Sequence, residues 1–203
     1  MLFAHDTTAA LLLAADLVNA ADLTDVDSLE VFLDKHQVAP RPAATQTDVA
    51  AVRALRPRLR AVWQAGTTEH IAGLVNDLLH DSGARPWLID HGGGFGWHLH
   101  VTGREASLED RLAAQAAFAF LDLVRMREES RLRQCEAPDC EAVFADLSKN
   151  RSRRYCDTGN CGNRQHVAAY RERRAASGPA RRGLSRAASG SPPAPAAGNP
   201  CRR

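Results

Sequence analysis

Four cysteines near the C-terminal end stand in two pairs, Cys135/Cys140 and Cys156/Cys161. Four residues separate the members of each pair, Glu-Ala-Pro-Asp in one and Asp-Thr-Gly-Asn in the other, and fifteen residues separate the pairs. This C-x4-C-x15-C-x4-C spacing suits a structural zinc ion. Zn²⁺ takes a tetrahedron of soft thiolates, and two tight turns can each present two of them. The intervening Pro, Gly, Asp and Asn are the residues such turns use. Disulfides and unrelated buried thiols are the competing readings. Four thiolates leave no open coordination position, so the expected site is structural and not catalytic, and a module this small would depend on the metal to fold. The segments 142–148 (AVFADLS) and 152–155 (SRRY) are expected to form its two short strands. Cys201 falls outside both pairs and reads as an incidental thiol.

Charge is distributed unevenly around these cysteines. Residues 1–124 carry 9 Lys/Arg against 16 Asp/Glu, and residues 125–203 carry 17 against 8, although the whole chain has a formal net charge of only +2. An acidic body joined to a basic end points to a polyanionic partner for that end. Between Leu147 and Arg186 there are 11 basic residues, opposed in that window only by Asp157 and Glu172. The candidate nucleic-acid contacts are Lys149, Arg151, Arg153, Arg154, Arg164, Arg171 and Arg174. Arginine also offers a planar fork to phosphate or to guanine. For Arg164 a second role competes, bracing the zinc turn. On the helix expected from about Cys161, Val167 and Tyr170 should pack on the zinc hairpin.

The elements that must position this module read as follows. Residues 7–20 form a mostly apolar helix, taken in preference to a signal peptide because Asp6 and Asp16 interrupt it and no basic leader precedes it. A second helix is capped near Asp27 or Ser28, with Leu29, Phe32 and Leu33 inward. A third, starting at a threonine and ending at Gly66, is kinked or divided by Pro57. A fourth runs from a threonine cap to Gly83. The period then changes, and "RPWLID", "HGGG" and "FGWHLHV" read as a β-hairpin. The longest helix is expected over residues 107–134, capped at Ser107, with Leu108, Leu112, Phe120 and Leu123 inward. The last segment, rich in Ala, Gly, Ser and Pro, is expected to be disordered.

Several function classes receive no support. No run of about 18 apolar residues offers a membrane span, and the expected location is the cytoplasm. "HGGG" resembles an oxyanion turn, but no G-x-S-x-G nucleophile elbow accompanies it, and the glycines do not make a dinucleotide-binding fingerprint. His91, His98 and His100 could meet on the hairpin as a second metal site, although ordinary surface or half-buried histidines are the plainer reading. Trp63, Trp87, Trp97 and Phe95 could line a small-molecule pocket, although plain core is the favoured reading. No nucleophile–base set suggests an enzyme.

The stretch from about Leu132 to Arg174 resembles the CGNR zinc finger. It contains both cysteine pairs, the Phe144-x-Asp146 segment, an Arg-Arg-aromatic-Cys entry and the string Cys161-Gly162-Asn163-Arg164. Tyr155 stands where the family usually has Trp, and His166 where it often has a basic residue. Upstream, "LVNA", "LEVFLDKHQV", "VRALRPRLRAVW" and "GLVNDLL" resemble the ABATE domain that precedes this finger. The resemblance implies a bacterial transcription regulator, described as stress-induced, that binds DNA. The expected fold is α+β: a mostly helical ABATE-like regulatory domain with a β-hairpin (1–130), a Zn(Cys)₄ hairpin-plus-helix finger (131–175) and a disordered tail (176–203). The body would receive a small-molecule or protein signal, or assemble a homodimer. Two other readings stand beside DNA binding: a module docking an acidic protein, and an RNA-binding protein.

Overall fold

Short polar side chains decide where most of the helices begin. In the computed structural model, which describes residues 3–38, 41–90, 92, 96–103 and 105–176, α1 spans His5–Asn19 and α2 spans Val26–Lys35. The α2 cap is Asp25, ahead of the expected Asp27 or Ser28. Its carboxylate accepts the Ser28 N–H at 2.8 Å while the Ser28 hydroxyl accepts the Asp25 N–H at 3.1 Å. Such a reciprocal box satisfies two backbone donors that the first turn leaves open. α3 (Gln46–Gln64) starts the same way, from Thr45 and Asp48. Thr67 caps α4 (Thr68–Asp81) and Ser107 caps α5 (Leu108–Arg125).

α3 runs unbroken through Pro57. Proline removes one N–H from the ladder, which orphans the carbonyl four residues back. Pro57 and Arg53 are both exposed, so water can serve that carbonyl. The opposite face carries Val49, Val52, Leu55, Leu59 and Val62, all buried, and this packing carries the helix through the defect.

α5 is the central element. It packs against α1, α3 and α4, and it buries Leu112, Phe120 and Leu123 together with five alanines. The alanines let neighbouring helices approach closely on several sides. Trp63 meets Phe120 edge-to-face, with ring centroids 5.1 Å apart. Trp87 and Trp97 depart from the expected core placement and are exposed. They lie in the hairpin formed by β1 (Trp87–Asp90) and β2 (Trp97–His100), whose register pairs Trp87 with His100 and Asp90 with Trp97. Phe95 and the tail lie outside the described residues.

The expected helix over 107–134 is corrected at its end. α5 stops at Arg125, and the Arg127 and Glu128 N–H groups turn back to the carbonyls of Val124 and Leu123 at 3.1 and 2.8 Å. This is a Schellman closure with a non-glycine residue, Arg127, at φ 55°. A single 3₁₀ turn, Glu129–Arg131, follows, and then β3 (Leu132–Gln134). β3 pairs antiparallel with β4 (Val143–Ala145), with Arg133 opposite Phe144. The strand expected at 152–155 does not form. β3, from the segment read as helix tail, supplies the partner instead.

The alternation of β4 joins two clusters of buried side chains. Val143 and Ala145 belong to the helical core, while Phe144 belongs to the cluster around the cysteines. Its free edge is taken by a side chain: Asn19 Nδ2 donates to the Val143 carbonyl at 2.8 Å and Asn19 Oδ1 accepts the Val143 N–H at 2.9 Å. Trp63 Nε1 donates to the Phe144 carbonyl at 3.0 Å. Among the described residues, those up to His166 pack as one compact unit, and those from Val167 to Ala176 group separately. The last helix, α6, spans Cys161–Ala176.

Asn19→Ala orphans both backbone groups of Val143. At about 1–3 kcal/mol per buried unsatisfied group, the variant should unfold at clearly lower urea concentration than the parent, with Asn19→Asp intermediate because it keeps the acceptor.

Candidate functional site

The turn Ala137–Cys140 closes with a Cys140 N–H bond to the Ala137 carbonyl at 3.1 Å. It presents Cys135 and Cys140 beside β3. The second pair sits where a loop enters α6: Cys156 precedes the turn and Cys161 is the first helical residue. All four sulfurs lie within 4.8 Å of one another. Cys140–Cys156 and Cys156–Cys161 sulfur distances are both 3.7 Å. A tetrahedron with Zn–S bonds of about 2.3 Å has an S···S edge of about 3.8 Å, so the donor set fits one zinc ion and is consistent with it. Burial pushes the Cys140 thiol up to about 12. At Cys156 burial also raises the pKa, but hydrogen bonds from the Thr158 side chain and the Gly159 backbone outweigh it and bring the thiol to about 7.

Two residues fit around the sulfurs for steric and electrostatic reasons. A Cβ on Gly159 would stand 3.0 Å from the Cys161 sulfur, so a side chain at that turn position requires the sulfur to give by a few tenths of an ångström. Arg164 points its guanidinium at the same sulfur, 3.1 Å away, and also pairs with Asp139 at 2.6 Å. Its hydrogen bond lowers the pKa of Asp139, and the hydrogen bonds to Cys161 and Asp139 hold Arg164 above its ordinary value. A cation beside a metal-bound thiolate orients the ligand and spreads its charge.

A second network, of which the sequence singled out only the Phe144-x-Asp146 segment and not Arg131, lies beside the cluster. Arg131 is 2% exposed. Its Nε meets Glu128 at 2.6 Å, and one terminal nitrogen donates to the Asp146 and Ser148 carbonyls at 2.7 and 2.9 Å. Asp146 is wholly buried and accepts the N–H groups of Ser148 and Arg153, both at 2.9 Å. Burial opposes charge on Asp146, but the hydrogen bonds from Ser148 and Arg153, with Arg133 nearby, hold its carboxyl below the usual range. The Phe144-x-Asp146 segment was the sequence signal for this network. One of its residues faces the cysteines and the other pins the loop that leads to Cys156.

The expected basic contacts divide by what they touch. Arg151 pairs with Glu128, Arg153 with Asp157 and Arg154 with Glu136, each at 2.6 Å. Arg153 also lies over the Phe144 ring, 4.7 Å from its centroid. Arg164 braces the Cys161 turn, as above. Lys149 is exposed and has no ion-pair partner among the described residues. Arg171 and Arg174 are exposed on α6, as are Val167 and Tyr170, which were expected to be covered. Glu128, Glu136 and Asp139, upstream of the basic window, supply counter-charges that a count along that window misses.

On the β1–β2 hairpin, His98 and His100 share a face with their Nε2 atoms 3.3 Å apart. His91 is outside the described residues. Among the described residues the four cysteines are the only group of three or more metal-ligating side chains that converge. No helix there is long and apolar enough to cross a membrane.

Two family models match the chain. One, described as CGNR zinc finger, covers residues 131–174. The other, ABATE, described as putative stress-induced transcription regulator, covers residues 11–127. A comparison with curated proteins finds no match.

Zinc analysis should give one ion per chain, falling to none in Cys156→Ser. Gly159→Ala should retain the fold but release zinc to a chelator faster, since the Cys161 sulfur must give by a few tenths of an ångström to the added Cβ. Equal release rates in parent and Gly159→Ala would contradict this geometry.

Proposed function

The chain belongs to the ABATE family and carries the CGNR zinc finger, and from that premise we propose that it is a DNA-binding transcription regulator. In this reading Cys135, Cys140, Cys156 and Cys161 hold one structural Zn²⁺. The ion fixes the β3–β4 hairpin against the start of α6, and apparent zinc affinities of about 10–16 kcal/mol are ample to organise a module of this size. The metal does no chemistry on a substrate, because the four thiolates fill its coordination shell.

The observation that carries the proposal is the exposed cationic set Lys149, Arg171 and Arg174 on a finger within a transcription-regulator chain. These three are the primary phosphate contacts. Arg151 and Arg154, 48% and 62% exposed but paired with Glu128 and Glu136, reach phosphate by exchanging a carboxylate for it. Arg153 and Arg164 serve the finger's own fold. The helical body receives the regulating signal, a small molecule, a protein or a second copy of the chain, and the protein works in the cytoplasm without an enzymatic activity.

The test is duplex binding followed by anisotropy across a salt series. Each phosphate contact contributes about −0.9 to the slope of log K against log salt. Lys149→Gln and Arg171→Gln should each flatten the slope by about that amount, and zinc chelation should abolish binding. Absent or salt-insensitive binding by the zinc-loaded protein would overturn the proposal.

A further inference from the structure

The finger's arginines are largely neutralised by carboxylates, but three arginines of the acidic body are not. Arg53, Arg56 and Arg60 sit on α3 at i, i+3 and i+7, within an arc of about 60° at 3.6 residues per turn. Among the described residues none of the three forms an ion pair. By contrast Arg58, on the far side of the same helix, is paired with Asp81 at 2.7 Å.

Neighbouring like charges cost energy unless something compensates them. Part of the compensation is visible. Arg56 and Arg60 each direct a guanidinium nitrogen to the Val18 carbonyl, at 3.3 and 3.5 Å, where the C-terminal turn of α1 presents its negative end. Arg60 also donates to the Glu141 carbonyl at 3.0 Å, in the segment that links Cys140 to β4. Burial, followed by repulsion from Arg53 and Arg60, lowers the pKa of Arg56, with Asp22 acting in the opposite sense. Capping of α1 thus accounts for part of Arg56 and Arg60. It does not account for Arg53, which is exposed and extends the same row.

We infer that this row on α3 is a second phosphate-binding strip, through which the helical body grips the DNA backbone beside the finger. The inference rests on the DNA-binding reading and extends it. The carbonyl bonds hold Arg56 and Arg60 in fixed orientations, so little side-chain entropy is lost when an anion arrives. The contact at Glu141 places one end of the row against the cysteine-bearing segment, so a backbone engaged by the finger can continue onto α3. A phosphodiester chain is the occupant that matches several cations spaced along one helix face, and the contacts would add affinity without base preference.

The experiment uses the full zinc-loaded chain and a mixed-sequence duplex, with zinc content and thermal unfolding checked for each variant. Arg53→Gln should flatten the salt slope by about 0.9, and Arg53→Gln/Arg56→Gln by about 1.8. Arg58→Gln, the same charge change on the opposite face, should leave the slope unaltered. Because Arg53 makes no contact that the fold requires, the single variant decides the matter even if the double variant is unstable. Unchanged slopes in Arg53→Gln, with salt-dependent binding by the parent, would overturn the strip and leave the finger as sole reader. No duplex binding by the parent would overturn both.

Discussion

The unit formed by the described residues up to His166 depends on a three-residue strand that has to satisfy neighbours on every side. β4 gives one edge to β3 and the other to Asn19, and it sends Val143 and Ala145 into the helical core and Phe144 toward the cysteines. A strand alternates its side chains by geometry. Here that alternation places the helical core on one side and the metal-ligand cluster on the other. The cysteines therefore do not organise an independent bead on a linker. The hairpin they clamp is also a wall of the helical core.

The buried polar groups follow from the same constraint. An edge strand pressed against helices leaves backbone N–H and C=O groups that must be bonded. Asn19 and Trp63 supply those bonds from α1 and α3. Arg131 and Asp146 then tie the strand ends to the loop that carries Cys156, using Glu128 and backbone groups as partners. An isolated buried charge would be expensive, so each member of this set is bonded to another. The counter-charges gathered in this way also consume the apparent cationic surplus of the finger, which shifts attention to Lys149, to α6 and to the row on α3.

Much of this was legible in the sequence where chemistry is local. The cysteine spacing, the threonine and serine starts of α4 and α5, and the β1–β2 hairpin all express short-range rules. The length of α5 was not legible. Residues 126–134 are good helix formers by composition, and only pairing with β4, further along the chain, draws Leu132–Gln134 into a strand. The stop at Arg127 carries no glycine to announce it. The opposing charges were missed for a related reason: Glu128, Glu136 and Asp139 precede the basic run in the chain and meet it only after folding. Asn19 could be found only as part of the "LVNA" segment, since nothing local distinguishes a helix-ending asparagine from one that completes a sheet 124 residues away.

The central claim is that the cysteine cluster and the helical body form one cooperative structure through β4. Amide hydrogen exchange on the zinc-loaded protein, before and after chelation, tests it most directly. If β4 couples the two, chelation will lower protection in the last turn of α1 and around Leu123 of α5 together with that of residues 131–161. Loss confined to residues 131–161, with α1 and α5 as protected as before, would contradict the account.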